Sequence, residues 1–189
     1  LQGAGRVEDT LNLIGRAMSK VVHAVSLAVG VEEEEVIRGA RLKVLTADSI
    51  KAALDIDWDD DAAQHAALNE LLVQVTRLEA WVAKKALRES TESPIKEALE
   101  LLRRVVSQDT EPEPTGSKRR IKQGVAADRV VSLSDPEMRH GRKSRSKRFD
   151  GYKRHVAVVD RLIVGTAVLP ANAPEHLATE QLIEAAEHY

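Results

Sequence analysis

The residues best suited to bind a chemical partner form one dense cluster of positive charge in the second half of the chain. It consists of guanidinium and ammonium side chains at Arg139, Arg142, Lys143, Arg145, Lys147, Arg148, Lys153 and Arg154. Groups of these two kinds at this density suit phosphate contacts, and each contact releases a counterion, which makes binding sensitive to salt. The cluster therefore predicts a polyanion, such as a nucleic acid, as the partner.

Neutral donors and aromatic rings are interleaved with these charges. Ser144 and Ser146 add hydroxyl donors, and Phe149 and Tyr152 bring the only rings of the cluster. Aromatic rings beside cations stack on unpaired bases in many nucleic-acid-binding proteins, but they also anchor a loop in a core. We favour anchoring for Phe149 and leave both interpretations open for Tyr152.

The charge of the chain is strongly uneven along its length. Residues 118–154 carry 13 basic and four acidic side chains, a net charge of +9, whereas residues 1–117 and 155–189 have net charges of −7 and −4. A basic block inside an acidic protein favours a polyanionic partner. The alternative is a solvated, disordered run of charge, and composition alone does not decide between the two.

A second cluster, of acidic residues, invites a metal-binding interpretation. It consists of Asp55, Asp57, Asp59, Asp60 and Asp61. The cluster lacks the glycine at the sixth position and the distal glutamate of a calcium-binding loop. Acidic residues before a helix more simply cap it and interact with its dipole. We therefore predict helix capping here and no metal site.

The first half of the chain has the periodicity of amphipathic helices. The pattern predicts helices at residues 7–29, ended by Gly30, at residues 60–89, and from Ser93-Pro94 to about residue 108. A short helix around Ile50 is expected to be capped by Thr46 or Asp48, while residues 31–46 remain open between helix and loop. The two long helices after residue 60 are expected to pack as an antiparallel hairpin.

The second half has the alternation of strands. After a predicted linker at residues 109–117, the apolar period is near two, which indicates strands at residues 119–125, 129–133, 152–159 and 162–169. The last two strands flank Asp160-Arg161, a two-residue turn without the glycine that such turns favour. Pro174-Glu175 then begins a helix. The sequence therefore predicts an α+β protein.

The composition narrows the class of protein further. The chain of 189 residues has no cysteine, so disulfides and thiolate metal sites are excluded. Its residues are 43% hydrophobic but only 3% aromatic, so the core is built from aliphatic side chains. No apolar run reaches the roughly 20 residues of a membrane helix. We therefore expect a cytoplasmic protein with no membrane partner.

Several separated motifs resemble the DDE transposases of bacterial insertion sequences. The strongest is DPEMRHGRKSRSKRFDGYKRHVAV followed by LIVGTAVLPANAPEH, and the weaker ones are LQGAGRVEDTLNLIGRAM, ALDIDWDD and SPIKEALELLRRV. They occur in the family's order and extend over nearly the whole chain. The nearest group carries a long helical segment within the catalytic domain. One departure is the short turn at Asp160-Arg161, where family members usually have a glycine-containing turn.

The resemblance implies a partial RNase H-like fold with a mixed sheet, into which a helical segment is inserted. It divides the chain into an inserted helical segment at residues 1–108, a linker at residues 109–117, and RNase H-like strands, helix and basic loop at residues 118–189. In the family, three carboxylates hold two Mg²⁺ ions that activate water or a 3′-hydroxyl for displacement at phosphorus. Those carboxylates belong to motifs outside this chain. We therefore expect no catalytic residue, metal ligand or bound Mg²⁺ here, and no activity of the segment alone.

Four carboxylates inside the chain do not match a position of the family's triad: Asp9, Asp135, Asp150 and Glu175.

The residues that match the family's DNA-binding motif belong to the basic cluster. Together with its other cations, the expected DNA-binding residues are Arg139, His140, Arg142, Lys143, Arg145, Lys147, Arg148, Tyr152, Lys153, Arg154 and His155. They are expected to hold transposon-end or target DNA, and the full-length form is expected to dimerise on it. The alternative is a nucleic-acid-binding or protein-interaction module without enzymatic activity.

Overall fold

The first part of the chain is mostly helical, and the last part is mostly antiparallel strands. The structure, a computed structural model, describes residues 9–57, 59–85, 93–124, 126 and 128–188. It divides into a helical unit within residues 9–126 and a sheet unit within residues 128–188. The predicted α+β class is confirmed.

The helical unit is built around its first helix. Its elements are α1 (Thr10–Val29), α2 (Glu33–Gly39), a 3-10 turn (Lys43–Leu45), α3 (Ile50–Leu54), α4 (Asp61–Lys85), α5 (Ser93–Asp109), β1 (Thr110–Pro112) and β2 (Arg119–Ile121). The Asp9 side chain caps α1 by accepting a hydrogen bond from the Asn12 N–H at 3.0 Å. Gly30 ends the helix with a φ of 71°, a left-handed conformation that glycine adopts without strain. The predicted end of α1 is therefore confirmed, whereas residues 7 and 8 lie outside the described part.

The core of this unit lies around α1, which contacts α5 over most of its length and also contacts α4. Of the apolar residues predicted to form its buried stripe, Leu11, Ile14, Met18, Val21 and Val25 are buried, Val29 is exposed, and Val7 lies outside the described residues. The prediction that α4 and α5 pack directly on each other as an antiparallel hairpin is wrong, because α5 packs mainly against α1, which also contacts α4. Side chains also join α4 to α5, where the Arg103 Nε donates to Glu79 Oε1 at 2.7 Å.

The structure resolves one open question in this unit and corrects one prediction. The open segment at residues 31–46 forms α2 and the 3-10 turn, because Val36, Leu42 and Val44 are buried. The cap of α3 is Ser49, whose hydroxyl accepts from the Ala52 N–H at 3.1 Å, so neither Thr46 nor Asp48 caps it. The predicted end of α4 at residue 89 lies outside the described residues.

Residues 109–117, predicted as a linker, are part of a packed hairpin. Strand β1 pairs with β2 in antiparallel register, with Thr110 opposite Ile121. Asn69 of α4 holds the hairpin by accepting from the Arg119 N–H and donating to the Arg119 carbonyl, both at 2.9 Å. Pro112, Pro114 and Gly116 therefore belong to a hairpin and its turn, and not to a linker between domains.

The sheet unit contains three antiparallel strands in the order β3-β4-β5, followed by a helix. Its elements are β3 (Arg139–Arg142), β4 (Arg148–Val159), β5 (Leu162–Pro170), a 3-10 turn (Glu175–Ala178) and α6 (Thr179–Glu187). The predicted strand at residues 129–133 is wrong. Val130, Val131 and Leu133 are buried, but the segment pairs with no strand in the described part of the chain, so its apolar pattern reflects burial alone.

The turn between β4 and β5 shows how this hairpin closes without a glycine. Asp160 and Arg161 both have positive φ angles, 46° and 69°, as two-residue turns of the favoured twist require. A left-handed backbone costs a residue with a Cβ about 1–2 kcal/mol. The structure therefore confirms the hairpin and assigns strain to its turn.

Replacing Arg161 by glycine should stabilise the sheet unit, because glycine removes the Cβ crowding at this φ. We expect Arg161→Gly to raise the free energy of unfolding by about 1 kcal/mol, measured by urea denaturation. Thr166→Gly, in β5 of the same hairpin, should lower it. A destabilised Arg161→Gly variant would contradict the assignment of strain to this turn.

Helix α6 packs on one face of the β4–β5 hairpin and leaves the other face exposed. Helix α6 contacts both strands, and Ala185 lies so close to Gly165 that an added Cβ would be 2.7 Å from its own. The other face exposes apolar side chains: Tyr152, Val156, Val158, Ile163 and Val168. Five exposed apolar side chains on one face exceed the single, scattered apolar residues that are normal on a protein surface. We refer to them as the exposed apolar face.

None of the helices in the described part of the chain is long and apolar enough by itself to cross a membrane. Only α1 and α2 taken together, across a bend of 113°, reach the required length and composition.

Candidate nucleic-acid interface

The basic cluster is a β-hairpin and not a loop, which corrects the sequence-based prediction. Strand β3 pairs with the start of β4, so that Arg142 lies opposite Arg148 and His140 opposite Asp150. Only residues 143–147 connect the two strands. The sequence did not reveal β3 because its side chains are charged and give no apolar alternation; its pairing with β4 makes it a strand.

Hydrogen bonds within the connection fix the tip of the hairpin. The Lys143 N–H donates to the Lys147 carbonyl at 2.9 Å, and the Lys147 N–H donates to the Ser144 hydroxyl at 3.1 Å. Ser144 therefore closes the turn, whereas the sequence had suggested it as a donor to phosphate. The cations on either side project from a defined backbone, which lowers the entropy lost when they bind a ligand.

Close packing at Gly141 holds β3 against the segment that follows β5. An added Cβ at this position would lie 2.6 Å from the Ala171 carbonyl oxygen and 2.8 Å from Cζ of Phe149. Only glycine permits this approach. The Ala171 N–H also donates to the Gly151 carbonyl at 2.9 Å, so the chain after β5 is tied to β4.

One concave pocket of about 640 Å³ brings the hairpin tip together with the middle of β4. Its lining consists of Arg142, Lys143, Lys147, Phe149, Tyr152, Lys153, Arg154, His155 and Glu175. The structure therefore gathers seven of the predicted DNA-binding residues around one cavity. Glu175 is the only acidic side chain of the lining, so the pocket is strongly positive and suited to an anionic ligand.

The other four predicted residues do not line this pocket. Arg139 donates to the carbonyls of Pro136 and Met138, at 2.5 and 2.9 Å, and so braces its own backbone. The His140 ring is paired through Nδ1 with the carboxylate of Asp150. Arg145 and Arg148 are exposed near the tip of the hairpin. They extend the positive surface without belonging to the cavity.

Two residues inside the pocket carry structural constraints of their own. Lys153 is 20% exposed, donates to the Ala173 carbonyl at 3.0 Å and lies 3.9 Å from a Glu175 oxygen. Its charge is therefore partly used by the protein. The Nε2 atom of His155 is buried without a hydrogen-bond partner among the described residues. Such an unsatisfied atom requires compensation, for example by a ligand or water.

The two aromatic rings of the cluster differ in their surroundings. Lys143 Nζ lies 5.8 Å from the centroid of Phe149, whose ring edge approaches Gly141. Phe149 therefore packs within the hairpin, as the sequence indicated. Tyr152 is 38% exposed, and its hydroxyl donates to Asp135 Oδ1 at 2.5 Å.

The bond to Asp135, with lesser contributions from desolvation and from the charges of Asp135 and Glu137, raises the pKa of Tyr152 to about 12. Because the pKa in the folded protein exceeds the ordinary value of 10.0, the bond stabilises the fold below pH 10. This stabilisation is lost as the pH rises towards 12. The phenol is thus neutral and tethered across the physiological range.

The carboxylates that the sequence left without a catalytic role have local partners. Asp9 caps α1, Asp135 accepts from Tyr152 and from the Met138 N–H at 3.2 Å, Asp150 pairs with His140, and Glu175 lies near Lys153. Asp9 and Asp135 are therefore engaged in hydrogen bonds, and Asp150 and Glu175 in ion pairs.

Two residues of the acidic cluster at residues 55–61 accept local backbone hydrogen bonds, and one of them, Asp60, caps α4 as predicted. Asp60 accepts from the Ala62 N–H at 2.8 Å, at the start of α4, and Asp57 accepts from the Asp59 N–H at 3.0 Å. Within the described ranges, no three histidine or acidic side chains converge in a way that would hold a metal ion.

The sequence did not indicate Glu175 as a pocket residue, and it favoured an anchoring role for Phe149, which also lines the pocket. Glu175 follows Pro174, a typical helix start, so its charge was attributed to the helix N-terminus. Its place in the pocket results from the return of the chain after β5, which no local pattern reveals.

Comparison of the chain with protein-family models, with characterised proteins and with solved structures found no match.

Proposed function

We propose that this chain is a DNA-binding segment of a DDE transposase, with a partial RNase H-like fold in its sheet unit. The observation that supports it best is the pocket, in which Arg142, Lys143, Lys147 and Arg154 surround one cavity on a fixed hairpin. The strongest motif that resembles the family extends over the same hairpin and β5. The proposed partner is DNA, and the proposed setting is bacterial cytoplasm, at the nucleoid.

The segment does not catalyse strand transfer alone under this proposal, because the metal-binding triad lies in other parts of the protein. In the full-length protein the triad would hold Mg²⁺, which would assist displacement at phosphorus. The role of the described residues is to hold the DNA backbone by its phosphates. Contacts of this kind position a duplex without reading its sequence.

DNA binding by this chain should weaken steeply with salt. With about six phosphates neutralised by the hairpin, the logarithm of the affinity should fall with a slope on the order of −5 against the logarithm of the salt concentration. The affinity should then drop about a thousandfold between roughly 50 and 200 mM salt. Fluorescence anisotropy of a labelled duplex measures both values. The absence of binding at the lowest salt would overturn the proposal.

A second function is favoured by a different observation, the exposed apolar face of the β4–β5 hairpin. A protein-interaction module without enzymatic activity would use Val156, Val158, Ile163 and Val168 as its contact surface. Salt-resistant self-association or partner binding that is lost in Val158→Asp, with no DNA affinity, would favour this alternative. Recovery of strand transfer on rejoining the flanking coding sequence would favour the transposase.

A further inference from the structure

The pocket differs in shape from a surface that follows a DNA backbone. A volume of about 640 Å³ lies in the range of cavities that enclose small ligands. A base-paired nucleotide is held within the duplex, so its base cannot enter a cavity of this kind without leaving the stack. The concavity therefore favours a nucleotide whose base is free to enter.

Tyr152 provides an aromatic surface in this pocket that the protein does not use fully. Phe149, the other ring, is engaged by Lys143 and packed near Gly141. Tyr152 keeps 38% of its surface exposed while its hydroxyl is held by Asp135. The hydroxyl end of the side chain is thus fixed, while more than a third of the surface of the residue stays accessible to a ligand. A fixed ring loses little entropy when a planar group stacks on it.

Cations on the same lining are placed for the phosphates of such a nucleotide. Lys143 and Lys147 reach the pocket from the tip of the hairpin, and Arg154 lies two residues beyond Tyr152 on the same face of β4. All three are exposed. Aromatic stacking combined with a positive groove is the usual way in which proteins bind single strands.

We propose that this pocket binds an unpaired nucleotide of DNA, with the base stacked on Tyr152 and the adjoining phosphates held by Lys143, Lys147 and Arg154. The inference rests on the proposed DNA-binding function and adds a substrate class, DNA with a single-stranded end or gap. Stacking of one base gives roughly a tenfold gain in affinity over DNA that lacks it.

The test compares three labelled DNAs on the unaltered chain: a blunt duplex, the same duplex with a three-nucleotide overhang, and that overhang with abasic sites. The abasic overhang keeps the phosphates and removes the bases, so it isolates stacking without any mutation. We expect the intact overhang to bind about tenfold more tightly than the abasic one. A 2-aminopurine in the overhang should lose fluorescence on binding, as stacked bases do.

Variants assign the effect to the ring. Tyr152→Ala should reduce the preference for the intact overhang to about one, whereas Tyr152→Phe, which keeps the ring, should retain most of it. Thr166→Ala, at an exposed position of β5, should leave the preference unchanged.

Equal affinities for intact and abasic overhangs would overturn the stacking proposal while leaving DNA binding in place. Unchanged preference in a folded Tyr152→Ala variant would also overturn it. Failure to bind any of the three DNAs would overturn this proposal and the proposed function together.

Discussion

Neutralising three cations of the hairpin should reduce DNA affinity a few hundredfold at about 0.1 M salt. The variant is Arg142→Gln, Lys143→Gln and Lys147→Gln, which removes three positive charges from the pocket lining while keeping polar, unbranched side chains. For each phosphate contact that is lost, about one counterion stays on the DNA. The slope of the logarithm of the affinity against the logarithm of the salt concentration should therefore become shallower by about 2.7. Anisotropy titrations at several salt concentrations give both quantities.

The helical unit offers a control with the same change in net charge. Arg38, Arg41 and Lys43 are exposed and lie within six residues of one another. Their replacement by glutamine should lower DNA affinity much less, because they are not on the hairpin. If the control variant lost as much affinity as the hairpin variant, binding would depend on overall charge and not on the pocket.

Replacing Leu78 by alanine should destabilise the helical unit by about 2–5 kcal/mol. Leu78 lies in the middle of α4 and its side chain has no exposed surface. Its loss removes transfer free energy and leaves a cavity that α1, α4 and α5 fill only in part, since helix backbones cannot collapse freely. Urea denaturation followed by circular dichroism measures the change.

Val73 provides the comparison within the same helix. It is 50% exposed, so Val73→Ala should change the free energy of unfolding by well under 1 kcal/mol. Hydrogen exchange should show the loss of protection in Leu78→Ala within α4 and its neighbours. Similar stabilities for the two variants would mean that α4 is not part of the core as described.

Local chemistry made much of the helical unit predictable. The apolar stripe of α1 and the stop at Gly30 follow from helix periodicity and from the freedom of glycine to adopt positive φ. The capping role of Asp57 and Asp60 also follows from short-range hydrogen bonding. The cap of α3 was misassigned because Thr46, Asp48 and Ser49 are all good N-caps, and only the burial of Ile50 selects among them.

The candidate site was predictable in its residues but not in its arrangement. The density of lysine and arginine between residues 139 and 154 indicates a polyanion partner wherever those residues lie, because charge acts over distance. Which cations share a cavity depends on the pairing of β3 with β4 and on the return of the chain to Glu175. Arg139 and His140 have the right chemistry, yet their hydrogen bonds within the hairpin direct them elsewhere.

By itself, the sequence determined the α+β class, the main helices, the β4–β5 hairpin and the location of the positive charge, since these depend on periodicity and composition over short stretches. Only the tertiary structure decided that residues 109–117 belong to a hairpin held on α4 by the bonds between Asn69 and Arg119. It also decided that residues 129–133 are buried without forming a strand and that Tyr152 is tethered by Asp135. These features depend on partners distant in sequence. Strand pairing, burial and side-chain hydrogen bonds all require such partners.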